Sequence, residues 1–222
     1  MKDCKFFKVL VTLSLMLVLT LPAFADENFG CRIPTTYFAT GGVGQSDEGI
    51  PPDPYETFSY DLALQAAGIE NFNVVYYTSV LPPESYEVPI GIVKPYFHHG
   101  AVLEVIMAKA GGYRGDTVSA GVGRVWAIDP GTGEKIGGFA AEYERIYDRQ
   151  EVSPEQAEKD AIEQLTKSLQ HELDIRGLKQ TGDMKFKVTS LYIEKKYGIS
   201  LAALGFVNFI YTNSVPVKDT DK

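Results

Sequence analysis

Cysteine is nearly absent from this 222-residue chain, with Cys4 and Cys31 the only two. Cys4 falls in a segment read below as a leader, so a mature chain would keep one thiol and could form no internal disulfide. Cys31 is a poor candidate for the lipid-bearing residue of a lipoprotein. Asn28-Phe29-Gly30 lacks the small and aliphatic residues that should precede it, and it stands ten residues after Leu21. A buried or intermolecular thiol is the expectation. Basic charge is also scarce: 21 Lys and Arg stand against 29 Asp and Glu, for a net charge of −8. Non-specific nucleic-acid binding needs a basic footprint that this chain lacks, whereas a cationic substrate would be attracted. Of the three histidines, His98 and His99 are adjacent. Adjacent residues of a strand point to opposite faces, and no third metal ligand is evident. Gly41-Gly42-Val43-Gly44 lacks the lysine and spacing of a phosphate loop. Repeats, low-complexity stretches and linkers are missing too, which points to one domain.

One long apolar run is present, and it lies at the start. Lys2, Lys5 and Lys8 make a basic opening, and Val9 to Leu21 is interrupted only by Thr12, Ser14 and Thr20. Pro22 and the small-residue pattern Ala23-Phe24-Ala25 end it. This is the layout of a cleavable signal peptide over residues 1–25, and the run is short for a membrane span. An uncleaved anchor is the alternative reading. Cleavage leaves residues 26–222, 197 in all, with a net charge of −10. The expectation is an exported protein, in a periplasm or at the exterior with the periplasm preferred, built as a single domain with a sizeable core. The tail after Tyr211 is short, polar and proline-containing, and is expected to lack structure.

Two segments read as helices. Asp53-Pro54 is an N-cap with proline at the first helical position, and Glu56 completes a capping box; the helix carries Phe58, Leu62 and Ala66 on one side and stops at Gly68. The second starts at Ser153-Pro154, with Gln156 reaching back to the cap. Ala157, Ala161, Ile162, Leu165, Leu169 and Leu173 recur at helical spacing, and Gly177 ends it. Residues 71–78, 101–108, 117–128 and 136–146 read as strands, with Asp129-Pro130-Gly131-Thr132-Gly133 as the turn between the last two. Residues 185–194 and 200–211 are expected to form a final pair around Tyr197-Gly198. Many strands with two widely separated helices suggest an α+β sandwich, helices outside sheets.

Thr78-Ser79 alone is an ordinary strand end before Pro82-Pro83. The wider pattern is more specific. Asp61, Leu64, Gly68-Ile69, Asn71-Phe72-Asn73 and Thr78-Ser79-Val80-Leu81-Pro82-Pro83 stand in the order and spacing of the pyruvoyl-dependent arginine decarboxylases, which the chain resembles. The resemblance runs from about Thr36 to Phe209. Gly41 to Gly49 is similar to that family's early glycine-rich turn, Gly137-Gly138-Phe139-Ala140-Ala141-Glu142-Tyr143 to its acid-bearing strand, and the stretches around His171 and Gly205 to later parts of a bacterial branch. It implies a four-layer αββα sandwich. It also implies self-cleavage of the Thr78-Ser79 bond into a small chain, 26–78, and a large chain, 79–222. The assembly implied is a trimer or a dimer of trimers, with sites between protomers.

The chemistry of these residues agrees. A serine hydroxyl can attack the preceding carbonyl carbon if the peptide bond is held in an activated geometry. The resulting ester is lost by β-elimination, and hydrolysis of the dehydroalanine releases ammonia and leaves a pyruvoyl group at residue 79. The oxyanion of the first step needs a donor, and the resemblance implies Asn73. By its residue type alone, Asn73 reads as a turn-flanking asparagine that satisfies backbone groups. Decarboxylation then needs a protonated acid to deliver a proton to Cα. Alternation puts Phe139, Ala141 and Tyr143 on one face of their strand and Ala140, Glu142 and Glu144 on the other. Glu142 and Glu104 both have apolar neighbours that would favour the neutral form; spacing does not choose between them, and the resemblance implies Glu142. It also implies that Asp61 binds the substrate's guanidinium in bidentate fashion and that Leu64 touches its aliphatic stem. Read without the resemblance, Asp61 is a solvated helix residue. No metal is required.

The activity implied is conversion of L-arginine to agmatine and carbon dioxide, in a setting of polyamine metabolism or acid resistance. Two other readings are a pyruvoyl decarboxylase of another cationic or polar amino acid, and an unprocessed relative that binds arginine-like ligands without turnover.

Overall fold

A computed structural model of the chain describes residues 31–149 and 152–211. The leader over 1–25 and the tail after Tyr211 lie outside the described residues. One compact unit spans Ile33–Ile210. Its elements run β1 (Arg32–Ser46), α1 (Phe58–Ala67), β2 (Asn73–Tyr76), β3 (Val80–Leu81), β4 (Tyr86–Glu87), α2 (Ile90–Val93), a 3₁₀ turn (Lys94–Tyr96), β5 (Val102–Tyr113), β6 (Thr117–Ile128), β7 (Lys135–Tyr147), α3 (Pro154–Asp174), β8 (Lys179–Tyr192) and β9 (Tyr197–Tyr211). The fold is α+β, with two sheets. Sheet one has the order β2-β5-β9-β1-β4, and sheet two the order β3-β7-β6-β8.

Three apolar layers follow from strand alternation. On β5, Leu103, Val105 and Met107 point away from sheet two and pack with Ala63, Leu64 and Ala67 of α1. The intervening Ile106 and Ala108 point inward, meeting Val122 and Ala120 of β6 and Ala140 of β7. On the far side of sheet two, Val125, Phe139 and Ala141 meet Leu165, Leu169 and Leu173 of α3. This arrangement is compatible with the expected sandwich.

α3 matches its sequence reading closely. Ser153 caps it, its hydroxyl accepting from the Gln156 N–H at 3.2 Å. The Gln156 side chain does not return to the cap; it donates to Asp160 at 2.7 Å. Ala157, Ala161, Leu165, Leu169 and Leu173 are buried, and Ile162 is 40 % exposed.

α1 departs from expectation at its start and in its face. It begins at Phe58, not at Pro54, and Thr57 makes no side-chain cap. Glu56 closes no capping box; its carboxylate holds the Lys109 ammonium at 2.8 and 2.9 Å. The buried residues are Ser59, Ala63, Leu64 and Ala67, while Phe58, Leu62 and Ala66 face outward. The cause lies in β1. Gly42 and Gly44 are inside this long strand, not in a turn, and a Cβ on them would stand 2.2 Å from the Ala63 carbonyl and 2.1 Å from that of Ser59. The helix backbone lies directly on the strand, so only small side chains fit between them.

The last two strands also differ from expectation. β8 and β9 do not pair; they belong to opposite sheets. Their side chains still tie the sheets together, Thr189 Oγ1 donating to the Leu201 carbonyl at 2.8 Å and Ser200 Oγ to that of Thr189 at 2.7 Å. The turn after β6 is as read: the Asp129 carboxylate accepts from Gly131 and Thr132 at 2.7 and 2.8 Å, and Gly133 takes a positive φ of 75°. His98 and His99 lie in a loop rather than a strand. Cys31 is exposed, which removes the buried alternative.

Candidate active site

Between Tyr76 and Val80 the chain leaves sheet one and joins sheet two. β2 runs parallel to β5, and the Tyr77 N–H still donates to the Val105 carbonyl at 2.7 Å. Two residues later the Ser79 carbonyl accepts from the Ala140 N–H at 2.9 Å, and Val80 and Leu81 pair with Phe139 and Gly138 of β7. Thr78 alone spans the gap between these anchors, and it is exposed. Gly137 makes room for the arriving segment: with φ at 129°, a Cβ there would meet the Leu81 carbonyl at 2.5 Å. The bond between Thr78 and Ser79 therefore lies where the backbone passes from the hydrogen-bond ladder of one sheet to that of the other. A strand end was the literal sequence reading; a crossing is what the fold makes of it.

β7 brings Glu142 to this crossing. The Ser79 hydroxyl donates to its carboxylate, with Oγ 2.9 and 3.1 Å from the two oxygens. Part of the Glu142 side chain reaches solvent, yet the protein around it pushes its carboxyl above the ordinary glutamate range. Desolvation is the main cause; the Ser79 hydrogen bond and its own backbone N–H pull in the opposite direction, and the neighbouring Glu144 adds to the rise. Glu104, the other candidate acid, lies away from Ser79's hydroxyl bonds. It is buried, and it accepts from the Tyr77 hydroxyl at 2.6 Å. Of the two, Glu142 is the one the geometry joins to Ser79.

The other site candidates are not gathered here. Asn73 opens β2, and its side-chain amide donates to the Gly100 carbonyl at 2.9 Å. That is the turn-satisfying arrangement, and β2 ends at Tyr76, before Ser79. Asp61 is exposed on α1, in a cleft of about 390 Å³ lined also by Ser46, Phe58, Leu62, Gln65 and Glu70. Neither Ser79 nor Glu142 lines that cleft. Leu64 is 8 % exposed and packs into the core behind α1, so Phe58 and Leu62 supply the cleft's apolar wall.

Sequence reading assigned nothing to three neighbours of the crossing. Glu144 accepts from the backbone N–H of Lys109 at 2.8 Å, which links sheet two to sheet one. Tyr76 and Tyr60 stand beside the Lys109–Glu56 pair, and burial pushes both phenols upward. The alternation that places Glu142 on the inner face of β7 places Glu144 there as well.

A serine at an inter-sheet crossing, its hydroxyl on a carboxylate inclined to hold a proton, fits a group made from the serine itself. The sequence profile of the pyruvoyl-dependent arginine decarboxylases matches residues 36–211. The chain is 47 % identical over 195 residues to pyruvoyl-dependent arginine decarboxylase AaxB of Chlamydia caviae, an overlap covering 86 % of this chain and 99 % of that protein. For the AaxB of Chlamydia abortus the identity is 48 % over the same length, with the same coverage. A pyruvoyl-dependent arginine decarboxylase of Methanocella arvoryzae is 32 % identical over 77 residues, 35 % of this chain and 42 % of that protein.

Proposed function

The chain belongs to the pyruvoyl-dependent arginine decarboxylase family, and we propose that it converts L-arginine to agmatine and carbon dioxide with a covalent pyruvoyl group made from Ser79. The observation that carries this reading is the Ser79–Glu142 contact at the crossing between sheets. The names of the relatives favour arginine over another amino acid and an enzyme over a silent binder.

Self-cleavage at the Thr78-Ser79 bond gives chains 26–78 and 79–222. The anchoring of Tyr77 to sheet one and of Ser79 to sheet two supports it, because the two new ends would each stay fixed by hydrogen bonds already made. Asn73 keeps one amide N–H on Gly100 and has a second for the oxyanion. When formed, the pyruvoyl group supplies the carbonyl that takes up the substrate amine and the sink for the electrons left by carbon dioxide. Glu142 holds the proton for Cα. Loss of the Ser79 hydroxyl removes a donor that favours the Glu142 carboxylate, so processing itself moves Glu142 toward the proton-carrying form.

The order helix, sheet, sheet, helix across the three apolar layers supports a four-layer αββα sandwich. Asp61, proposed to bind the guanidinium, sits in a cleft that excludes Ser79. A site using both would draw Asp61 from a second protomer, the arrangement proposed here as a trimer or a dimer of trimers. The leader pattern at 1–25 supports export to a periplasm.

Two measurements test the reading. Purified protein run on a denaturing gel should give two bands in place of one; a single intact band after prolonged incubation contradicts self-cleavage. Carbon dioxide release from arginine, ornithine, lysine and histidine should be fastest for arginine, and equal or faster release from any of the others removes the substrate assignment.

A further inference from the structure

Where β2 leaves sheet one, the adjoining edge of β5 loses its strand partner. Val105 and Lys109 are four residues apart and present their backbone groups to the same edge. The Val105 carbonyl is taken by the last bond from the departing chain, and the Lys109 N–H is taken instead by the Glu144 carboxylate of sheet two. Glu144 thus occupies the place a continued β2 would have filled. Glu142 is two residues away on the same face of β7, so the backbones that carry the two carboxyl groups are about 7 Å apart.

The charge of Glu144 is not cancelled by its anchor. It is held by a neutral N–H, while the Lys109 ammonium is engaged by both oxygens of Glu56. Arg145, next along β7, lies over the Tyr147 ring. Of the other charged groups facing this inter-sheet space, Glu104 of β5 receives the Tyr77 hydroxyl, Arg124 of β6 and Lys185 of β8 meet Glu87, and Lys187 of β8 lies across Val122 from Glu142 with its side chain against Gly41 of β1. From β2, the Tyr76 phenol is pushed above the ordinary tyrosine range by burial, with smaller contributions from Glu56 and Glu144. A fixed carboxylate here disfavours a second negative charge at Glu142, adding to the larger effect of burial.

We propose that Glu144 is a positioning residue for the proton donor: anchored by the Lys109 N–H at the vacated edge of β5, it fixes a second negative charge beside Glu142 on the inner face of β7 and so shapes the charge environment of that donor. This rests on the assignment of Glu142 as donor made above. It also gives the inter-sheet contact a chemical purpose beyond cohesion, because the same bond that closes an open sheet edge places the charge.

Glu144→Gln is the informative variant, since its amide oxygen can still accept from Lys109 while the charge is gone. Wild type and variant should be cleaved equally. In the variant, the alkaline limb of the kcat–pH profile should move to lower pH by about 0.5–1 unit, with KM changed less than about twofold. Glu144→Asp, which keeps the charge, should restore most of the limb. An unmoved limb overturns the proposal, as does a large rise in KM with the limb in place, which would make Glu144 a substrate contact. A second readout needs no turnover: infrared titration of Glu142 in the uncleaved Ser79→Ala protein, its carboxyl band assigned by Glu142→Gln. The midpoint should fall when Glu144→Gln is added, and an unchanged midpoint overturns the proposal. Absence of carbon dioxide release from wild type would instead count against the decarboxylase reading, leaving the infrared comparison to decide the role of Glu144.

Discussion

On the outer face of β7, Phe139, Ala141 and Tyr143 pack toward Leu165, Leu169 and Leu173 of α3. On the inner face, Ala140, Glu142 and Glu144 look toward the crossing chain and sheet one. The two faces share one backbone and one hydrogen-bond ladder with β6. What differs is what each excludes. The outer face excludes water with mostly apolar side chains, and its contribution is cohesion. The inner face holds polar groups whose partners are all specified, so each loss there changes charge or geometry more than packing. This contrast predicts that damage to the inner face will remove activity from a folded protein, whereas damage to the outer face will remove folded protein with its activity intact.

The largest effect expected is at Ser79. Ser79→Ala removes the nucleophile, so the chain should remain a single band on a denaturing gel and carbon dioxide release should fall by at least roughly 10³-fold. Two bands from this variant would end the proposal that Ser79 is the cleavage nucleophile. Next is Glu142→Gln, whose amide can still meet the Ser79 hydroxyl. Cleavage should proceed, and kcat should drop by about 10²–10⁴-fold, the usual weight of a general acid. If that variant turns over normally, the donor is elsewhere, with Glu104 the first alternative to examine.

How much of this contrast was legible in the sequence depends on the length scale of the rule involved. Alternation is local, so it separated Phe139, Ala141 and Tyr143 from Ala140, Glu142 and Glu144 correctly. The helical period placed the five buried alanines and leucines of α3 correctly for the same reason. The partition of strands into sheets is not local. Residues 185–194 and 200–211 look like a hairpin, yet they enter opposite sheets, because each strand is chosen by a partner far away in sequence, β6 for one and β5 for the other. The crossing at Thr78 was hidden likewise: nothing in Thr78-Ser79 says that Tyr77 will bond to β5 and Ser79 to β7. For α1, apolar residues occur around the helix, and size decided the face. Gly42 and Gly44 bring the strand so near that Ser59 and Ala63 are buried in preference to the larger Phe58 and Leu62. The pairing of Ser79 with Glu142 came from resemblance to a family; the part played by Glu144 needed the vacated edge of β5 to be seen.

The outer face offers the converse test. Leu169 is fully buried against Val125, Phe139 and Ala141. Leu169→Ala should cost about 2–5 kcal/mol of stability, the range for leucine truncation in a core that relaxes only partly. Urea unfolding would measure it. The surviving folded fraction should still be cleaved and should show a near wild-type kcat. A fall in kcat of more than about tenfold in folded Leu169→Ala protein would mean that the outer face transmits to the inner one, and the contrast between them would fail.

The smallest effect expected is at Ile162, which separates the sequence pattern of α3 from its structure. Periodicity counts Ile162 with the buried leucines, but the residue is 40 % exposed, one step around the helix from Ala161. Ile162→Ala removes little apolar area that the single chain has hidden, and alanine is the better helix former. The change in unfolding free energy should therefore stay within about 0.5 kcal/mol. A loss approaching that of Leu169→Ala would mean that something outside this chain covers Ile162. If that loss also grew with protein concentration, as linkage requires for an oligomer, the outer side of α3 would be an assembly surface, and the division of labour across β7 would have to be redrawn between protomers.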